Sequence, residues 1–154
     1  MNQEATGMDK EMGTPANIRL LAPFFLVTDM EKSLQFYIQG LGFKITNQWT
    51  PRGKIEWCWL ERELVALMLQ EPAKKDHLIH TSPAKKGFGV SITFQCQDAL
   101  ALYHEFKNRS LNVSDPFVGN GMWVFQVHDP DGYLLEFESL TDVPEETNYK
   151  DWFK

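Results

Sequence analysis

Apolar residues alternate between two rhythms along the chain, and the change from one to the other marks its elements. Residues 20–28 are continuously apolar and rich in Phe, Leu and Val, which predicts a strand buried on both faces. Asp29 follows with the side chain of a helix N-cap, and the rhythm switches to the helical one: Leu34, Tyr37, Ile38 and Leu41 recur three and four residues apart. The helix is predicted over 30–39, with Gly40 and Gly42 as its stop. Strand-like runs come next at 43–50, 54–61 and 64–70, parted by Pro51-Arg52-Gly53 and by a tight turn at Arg62-Glu63. The order is strand, helix and three strands.

A polar stretch from Glu71 to Gly87, rich in Lys, interrupts the pattern, and then the same order returns. A strand is predicted at 89–97, Asp98 as a cap, and a helix at 99–109 with Leu102, Tyr103 and Phe106 on one face. Strands follow near 113–118, 122–128 and 133–139, the last two joined by the turn Asp129-Pro130-Asp131-Gly132. A shift of 69 residues lays Phe25 on Phe94, Val27 on Cys96 and Asp29 on Asp98, a weak internal repeat. The expected division is a disordered tail at 1–17, a first module at 18–70, a linker at 71–88, a second module at 89–140 and a C-terminal extension at 141–154. Neither half buries its own sheet face well, so the two are expected to combine with their helices outside and a concave face left over.

Composition changes this picture mainly by exclusion. The 154 residues carry 15 basic and 21 acidic side chains, a formal charge of −6, and no run gathers Lys and Arg into a stripe that could follow a phosphate backbone. Nucleic acid is not an expected partner. No apolar run approaches the roughly 20 residues of a membrane helix, and the polar start has no signal-peptide core, so a cytoplasmic protein without membrane association is expected. Cys58 and Cys96 stand apart without metal-ligand or redox spacing, and read as small apolar side chains. There is no nucleophile elbow, and Gly119-Asn120-Gly121 is too short for a phosphate loop.

Two motifs carry a family resemblance: Phe25-Leu26-Val27-Thr28-Asp29 with Ser33, Phe36-Tyr37 and Leu41-Gly42-Phe43, and then Asp129-Pro130-Asp131-Gly132 with Leu135-Glu136-Phe137. In this order and separation, over about residues 18–140, they resemble the vicinal oxygen chelate superfamily. That superfamily includes lactoylglutathione lyases, extradiol dioxygenases, and fosfomycin- and bleomycin-resistance proteins. The resemblance implies an α+β fold of two βαβββ modules forming an open, partly closed eight-stranded sheet around a concave cavity, commonly completed by dimerisation. It does not fix the chemistry, because this scaffold hosts many activities.

Metal-dependent members hold a divalent ion with His, Gln or Glu side chains at equivalent strand positions. By resemblance, one such position is Glu136. The first-strand positions, seven residues before each capping Asp, are Ala22 and Ser91, and the repeat shift sets Leu67 against Glu136, with Ala66 and Met68 beside it. One carboxylate does not hold a divalent ion against water, so no metal and no cofactor is expected. His77 and His80 lie in the Lys-rich linker, His104 on the second helix is expected to face out, and His128 precedes the Asp-Pro turn near the cavity mouth.

What remains is a wall for a ligand. Glu136 either stays as a hydrogen-bonded carboxylate on that wall or meets a cationic or hydroxyl group. Alternation puts Ser91, Thr93 and Gln95 on its face as hydrogen-bonding groups, with Phe24 and Leu26 on the matching face of the first module. Trp57 and Trp59 share one strand face, as do Trp123 and Phe125; they either pack against the helices or stack on a flat ligand. Residues 121–128 look most like the bleomycin-resistance type, whose members bind a drug without metal or chemistry. The reading is a homodimeric, metal-free binder of a small planar or cationic molecule, its ligand-binding residues Glu136, Ser91, Thr93, Gln95, Phe24, Trp57 and Trp123. The alternative is a metal-dependent lyase, isomerase or ring-cleaving dioxygenase with atypical ligands. A third is an interaction module that docks Tyr149, Trp152 and Phe153 on a partner subunit.

Overall fold

The computed structural model describes residues 17–73 and 86–154. The tail at 1–16 and the linker histidines His77 and His80 lie outside the described residues. The first module comprises β1 (Phe24–Leu26), α1 (Met30–Leu34), β2 (Lys44–Trp49), β3 (Trp57–Arg62) and β4 (Val65–Gln70). The second comprises β5 (Ser91–Gln95), α2 (Ala99–Asn108), β6 (Phe117–Gly119), β7 (Met122–His128) and β8 (Leu134–Leu140), after which a short α3 (Tyr149–Trp152) closes the chain. The fold is α+β, two βαβββ modules with sheet orders β1-β4-β3-β2 and β5-β8-β7-β6. The first strand of each module pairs parallel with its last, and the other pairs are antiparallel. The sheets remain two four-stranded sheets rather than one closed wall.

Both helices start where the capping side chains predict: Asp29 accepts the Lys32 N–H at 3.1 Å and Asp98 the Ala101 N–H at 2.9 Å. α1 then widens into a π-helical turn over Gln35–Gly40, where Leu41 N–H reaches back to Phe36 O at 2.9 Å. Gly40 permits this ending because the second module comes against it; a Cβ there would lie 2.8 Å from Leu111 Cδ2. β1 is shorter than the apolar run 20–28 predicts, and Ile18 and Leu21 ahead of it are 88% and 86% exposed.

Strand alternation sorts each sheet into two faces. Phe25, Leu60, Leu67 and Leu69 of the first sheet and Phe125, Leu135 and Phe137 of the second point to the helix side and belong to one core with Tyr37 and Phe106. The modules touch directly, Arg109 just past α2 donating to Gly40 O at 3.2 Å and Arg62 at the end of β3 gripping Glu105 with two bonds of 3.2 Å. Since the helix sides of both modules share a core, the opposite faces of the two sheets point away from it.

The Asp-Pro-Asp-Gly turn is a second tie. Asp129 is buried and accepts the Tyr37 hydroxyl at 2.9 Å, the Tyr133 N–H at 2.9 Å and the Asp131 N–H at 3.0 Å. Asp131 accepts Thr28 N–H at 3.1 Å, and the Tyr133 hydroxyl donates to Leu26 O at 3.1 Å. Burial pushes the Asp129 carboxyl above its usual range, and burial with the neighbouring Asp129 charge raises the Tyr37 phenol well above its own. One of the two motifs of the resemblance therefore does structural duty, holding the modules together.

The C-terminal extension lies on its own chain. Val118 and Thr147, and Glu146 and Val118, exchange backbone bonds of 2.9 and 3.0 Å along the free edge of β6. Tyr149 and Phe153 then close over Trp123, at ring separations of 6.2 and 6.3 Å, while Trp152 stays half exposed. Tyr149 and Phe153 thus pack on Trp123 of their own chain, and Phe153 keeps 57% of its surface exposed. His104 faces out as expected, its ring nitrogen lying 2.9 Å from the Tyr149 hydroxyl.

Candidate functional site

On the outward face of the second sheet, Glu136 of β8 is flanked by Thr93 of β5 and Gln126 of β7. Gln126 donates its amide to Glu136 Oε1 at 3.3 Å. The next row repeats the chemistry: Gln95 lies opposite Glu138 and donates to it at 3.3 Å. Ser91 sits one row the other way, beside Leu134 and His128, so it shares the face without lying beside Glu136. The result is a ladder of two carboxylates, each held by one amide and open on its other side.

The outward face of the first sheet is aromatic. Its rows run Phe24, Met68, Trp59, Asn47 and Leu26, Gln70, Trp57, Trp49. Trp59 is held by its indole N–H, which donates to Glu61 Oε1 at 2.7 Å. Trp49 is directly opposite Trp57 and half exposed. Simple alternation from the inward Ile45 hides this, since it turns Trp49 inward too; a bulge between Ile45 and Asn47 flips the end of β2. Glu138 was equally open to the sequence pattern, two residues from Glu136 on one strand face.

Of the seven residues expected at a ligand wall, Glu136, Thr93, Gln95 and Ser91 lie on one outward face and Phe24 and Trp57 on the other. Trp123 lies on neither. It shares the helix side with Phe125 and fills the space beneath α3.

The residues do not fit a divalent metal. Pairing sets Phe24 against Met68 and Thr93 against Glu136, so the counterpart of Glu136 is Met68, one residue off the uniform repeat shift, and Leu67 is in the core. Neither Met68 nor Phe24 supplies an oxygen or imidazole ligand. Among the described residues no group of three or more His, Cys, Asp or Glu side chains could hold a metal ion. The cysteines are free, and burial pushes the Cys58 thiol up to about 11 and raises that of Cys96.

The family model described as the glyoxalase/bleomycin resistance protein/dioxygenase superfamily matches residues 19–137. The chain belongs to that superfamily. Among solved structures of the superfamily's fold, UcmS2 superposes with a TM-score of 0.64 at 17% identity, covering 80% of this chain and 98% of its own. TnmS3, an antibiotic binding protein from Streptomyces sp. CB03234, gives 0.59 at 18% identity over 80% of this chain and 98% of its own. A glyoxalase/bleomycin resistance protein/dioxygenase from Nocardioides gives 0.62 at 17% identity over 87% and 91%. No curated protein matches. At these identities the solved structures establish the fold, and superfamily membership leaves the ligand open. Among the described residues no helix is long and apolar enough to cross a membrane.

Proposed function

We propose that this superfamily member is a metal-free binding protein for a planar organic cation, working as a homodimer in which the aromatic sheet face of one copy closes over the carboxylate face of the other. The observation that carries the reading is the complementary chemistry of the two sheets' faces away from the shared core: Trp49, Trp57, Trp59 and Phe24 on one, and Glu136 and Glu138 with their amide partners on the other. Flat indole surfaces stack on a planar ligand, and carboxylates each held by a single amide leave lone pairs for a cation. Exposed Ile18, Leu21 and Phe88 add apolar surface of the kind a second copy covers. The antibiotic-binding role of TnmS3, on the same fold, supports a small-molecule ligand.

The test is a tryptophan fluorescence titration with 9-aminoacridine, a planar cation, and with acridine-9-carboxylate, its anionic counterpart. The cation is expected to quench saturably, and Glu136→Gln to weaken it about tenfold, the ~1.4 kcal/mol of one partly exposed charge contact. Equal affinities for cation and anion, or an unaltered affinity in Glu136→Gln, overturn the assignment.

A further inference from the structure

A cleft lined by both modules lies on the helix side. It holds about 380 Å³, within the roughly 300–1,000 Å³ range of small-ligand pockets, between the β3–β4 turn and the end of β5 with the start of α2. Its floor is apolar, built from Phe43, Phe94, Phe137 and Leu102, with Phe94 stacked on Phe137 at 4.8 Å and meeting Phe43 edge-on at 6.4 Å. Its mouth is charged, and the charges do not cancel. Arg62 spends its guanidinium on Glu105 and Leu41 O, and Glu105 also takes Arg109 at 3.0 Å. Glu63 has no ion-pair partner among the described residues. Asp98 uses one oxygen on Ala101 N–H. Arg62, Arg109, Glu105, Glu63 and Asp98 together leave one net negative charge at the mouth, over an aromatic floor.

We infer that this intermodule cleft is a second ligand site, for a small amphipathic amine whose aromatic body enters between Phe43 and Leu102 and whose ammonium stays at Glu63 and Asp98. An ammonium over a partly dry apolar cleft gains from both carboxylates and from the ring faces beneath it. A carboxylate of the same shape meets like charge and is rejected. The strand that forms this cleft with Phe94 and Cys96 turns Thr93 to the opposite face beside Glu136, while Gln95 borders both the cleft and that face. The cleft is thus distinct from the Glu136 position, although β5 and its Gln95 border both.

Amide NMR of the full chain titrated with 2-naphthylmethylammonium tests it, with 2-naphthoate as control. Saturable shifts are expected at Glu63, Gln97 and Ala101, with naphthoate at least about tenfold weaker. Glu63→Gln is expected to weaken the amine about threefold, because the second carboxylate remains. Ala101→Trp, on the exposed side of α2, fills the mouth and abolishes the shifts at Glu63 and Gln97 while those of any binding at Glu136 persist. Shifts confined to the Glu136 face, equal affinity for the anion, or binding at Glu63 and Gln97 that survives Ala101→Trp overturn the inference.

Discussion

Replacing Tyr37 with phenylalanine removes one oxygen from the interior and leaves every apolar contact of the ring in place. The hydroxyl is fully buried and donates at 2.9 Å to the Asp129 carboxylate, 92 residues away in the other module. A hydrogen bond to a charged group contributes about 1.5–3 kcal/mol, and its loss here falls on a buried acceptor that keeps only the N–H groups of Asp131 and Tyr133. At about 3–4 °C per kcal/mol for a domain of this size, the melting temperature should fall by roughly 5–10 °C. The loss should also depend on pH. Because Asp129 has a raised pKa in the folded protein, its contribution to stability is greatest below the ordinary carboxylate value near 4 and is lost as pH rises through the raised one. Below that window the carboxyl is protonated and needs the phenol less, so Tyr37→Phe should cost less at acid pH than at pH 7. Urea unfolding of both proteins at pH 4 and pH 7 reads this out. A loss under about 0.5 kcal/mol at pH 7, or one that grows on acidification, refutes the assignment of the tie to an ionised Asp129.

Other outcomes follow from the same contacts. Alkaline titration should destabilise the protein once pH passes the ordinary phenol value of about 10, since the raised pKa of Tyr37 keeps the folded state protonated while the unfolded chain ionises; Tyr37→Phe should lessen that dependence and leave the part due to Tyr133, Cys58 and Cys96, read by urea unfolding at pH 9 and 11. Truncation after Pro144 strips Tyr149 and Phe153 from Trp123 and the Glu145 carboxylate from Asn120 N–H, and should cost about 3 kcal/mol with a red shift of tryptophan emission, yet leave the oligomeric mass measured by light scattering unchanged. Brief alkylation with iodoacetamide at pH 8 should place its adduct on Cys96 before Cys58, which is fully buried with its thiol pushed up to about 11; mass spectrometry of the peptides decides.

The element order was legible in the sequence because each signal was local. Asp29 and Asp98 cap, the helical spacing of Leu34, Tyr37 and Leu41 is unbroken, and Pro51-Arg52-Gly53 and Asp129-Pro130-Asp131-Gly132 are turns that few other conformations accommodate. Which face a residue serves was legible only while alternation held. Glu136, Thr93 and Gln126 could be grouped because β5, β7 and β8 are regular, whereas the bulge in β2 concealed Trp49 and a one-residue difference between the modules set Leu67 where Met68 belongs. Trp123 was misleading for a different reason. A tryptophan in a strand fits either face, and the cover that decides it comes from Tyr149 and Phe153, whose return to β7 is a tertiary contact no local pattern encodes. The way the two modules meet was hidden for the same reason, since it depends on Arg62, Glu105, Arg109 and Gly40 coming together across them.

A complementation experiment tests the proposed shared site most directly. Glu136→Gln alters the carboxylate face and Trp57→Ala the aromatic face, so each homodimer carries two impaired sites. When the two variants are unfolded together and refolded, half the dimers are mixed, and each mixed dimer holds one doubly altered site and one intact site. If the faces come from different copies, roughly a quarter of the sites should regain native affinity for 9-aminoacridine. No recovery in a mixture whose mixed dimers are verified by mass contradicts a site assembled from two chains.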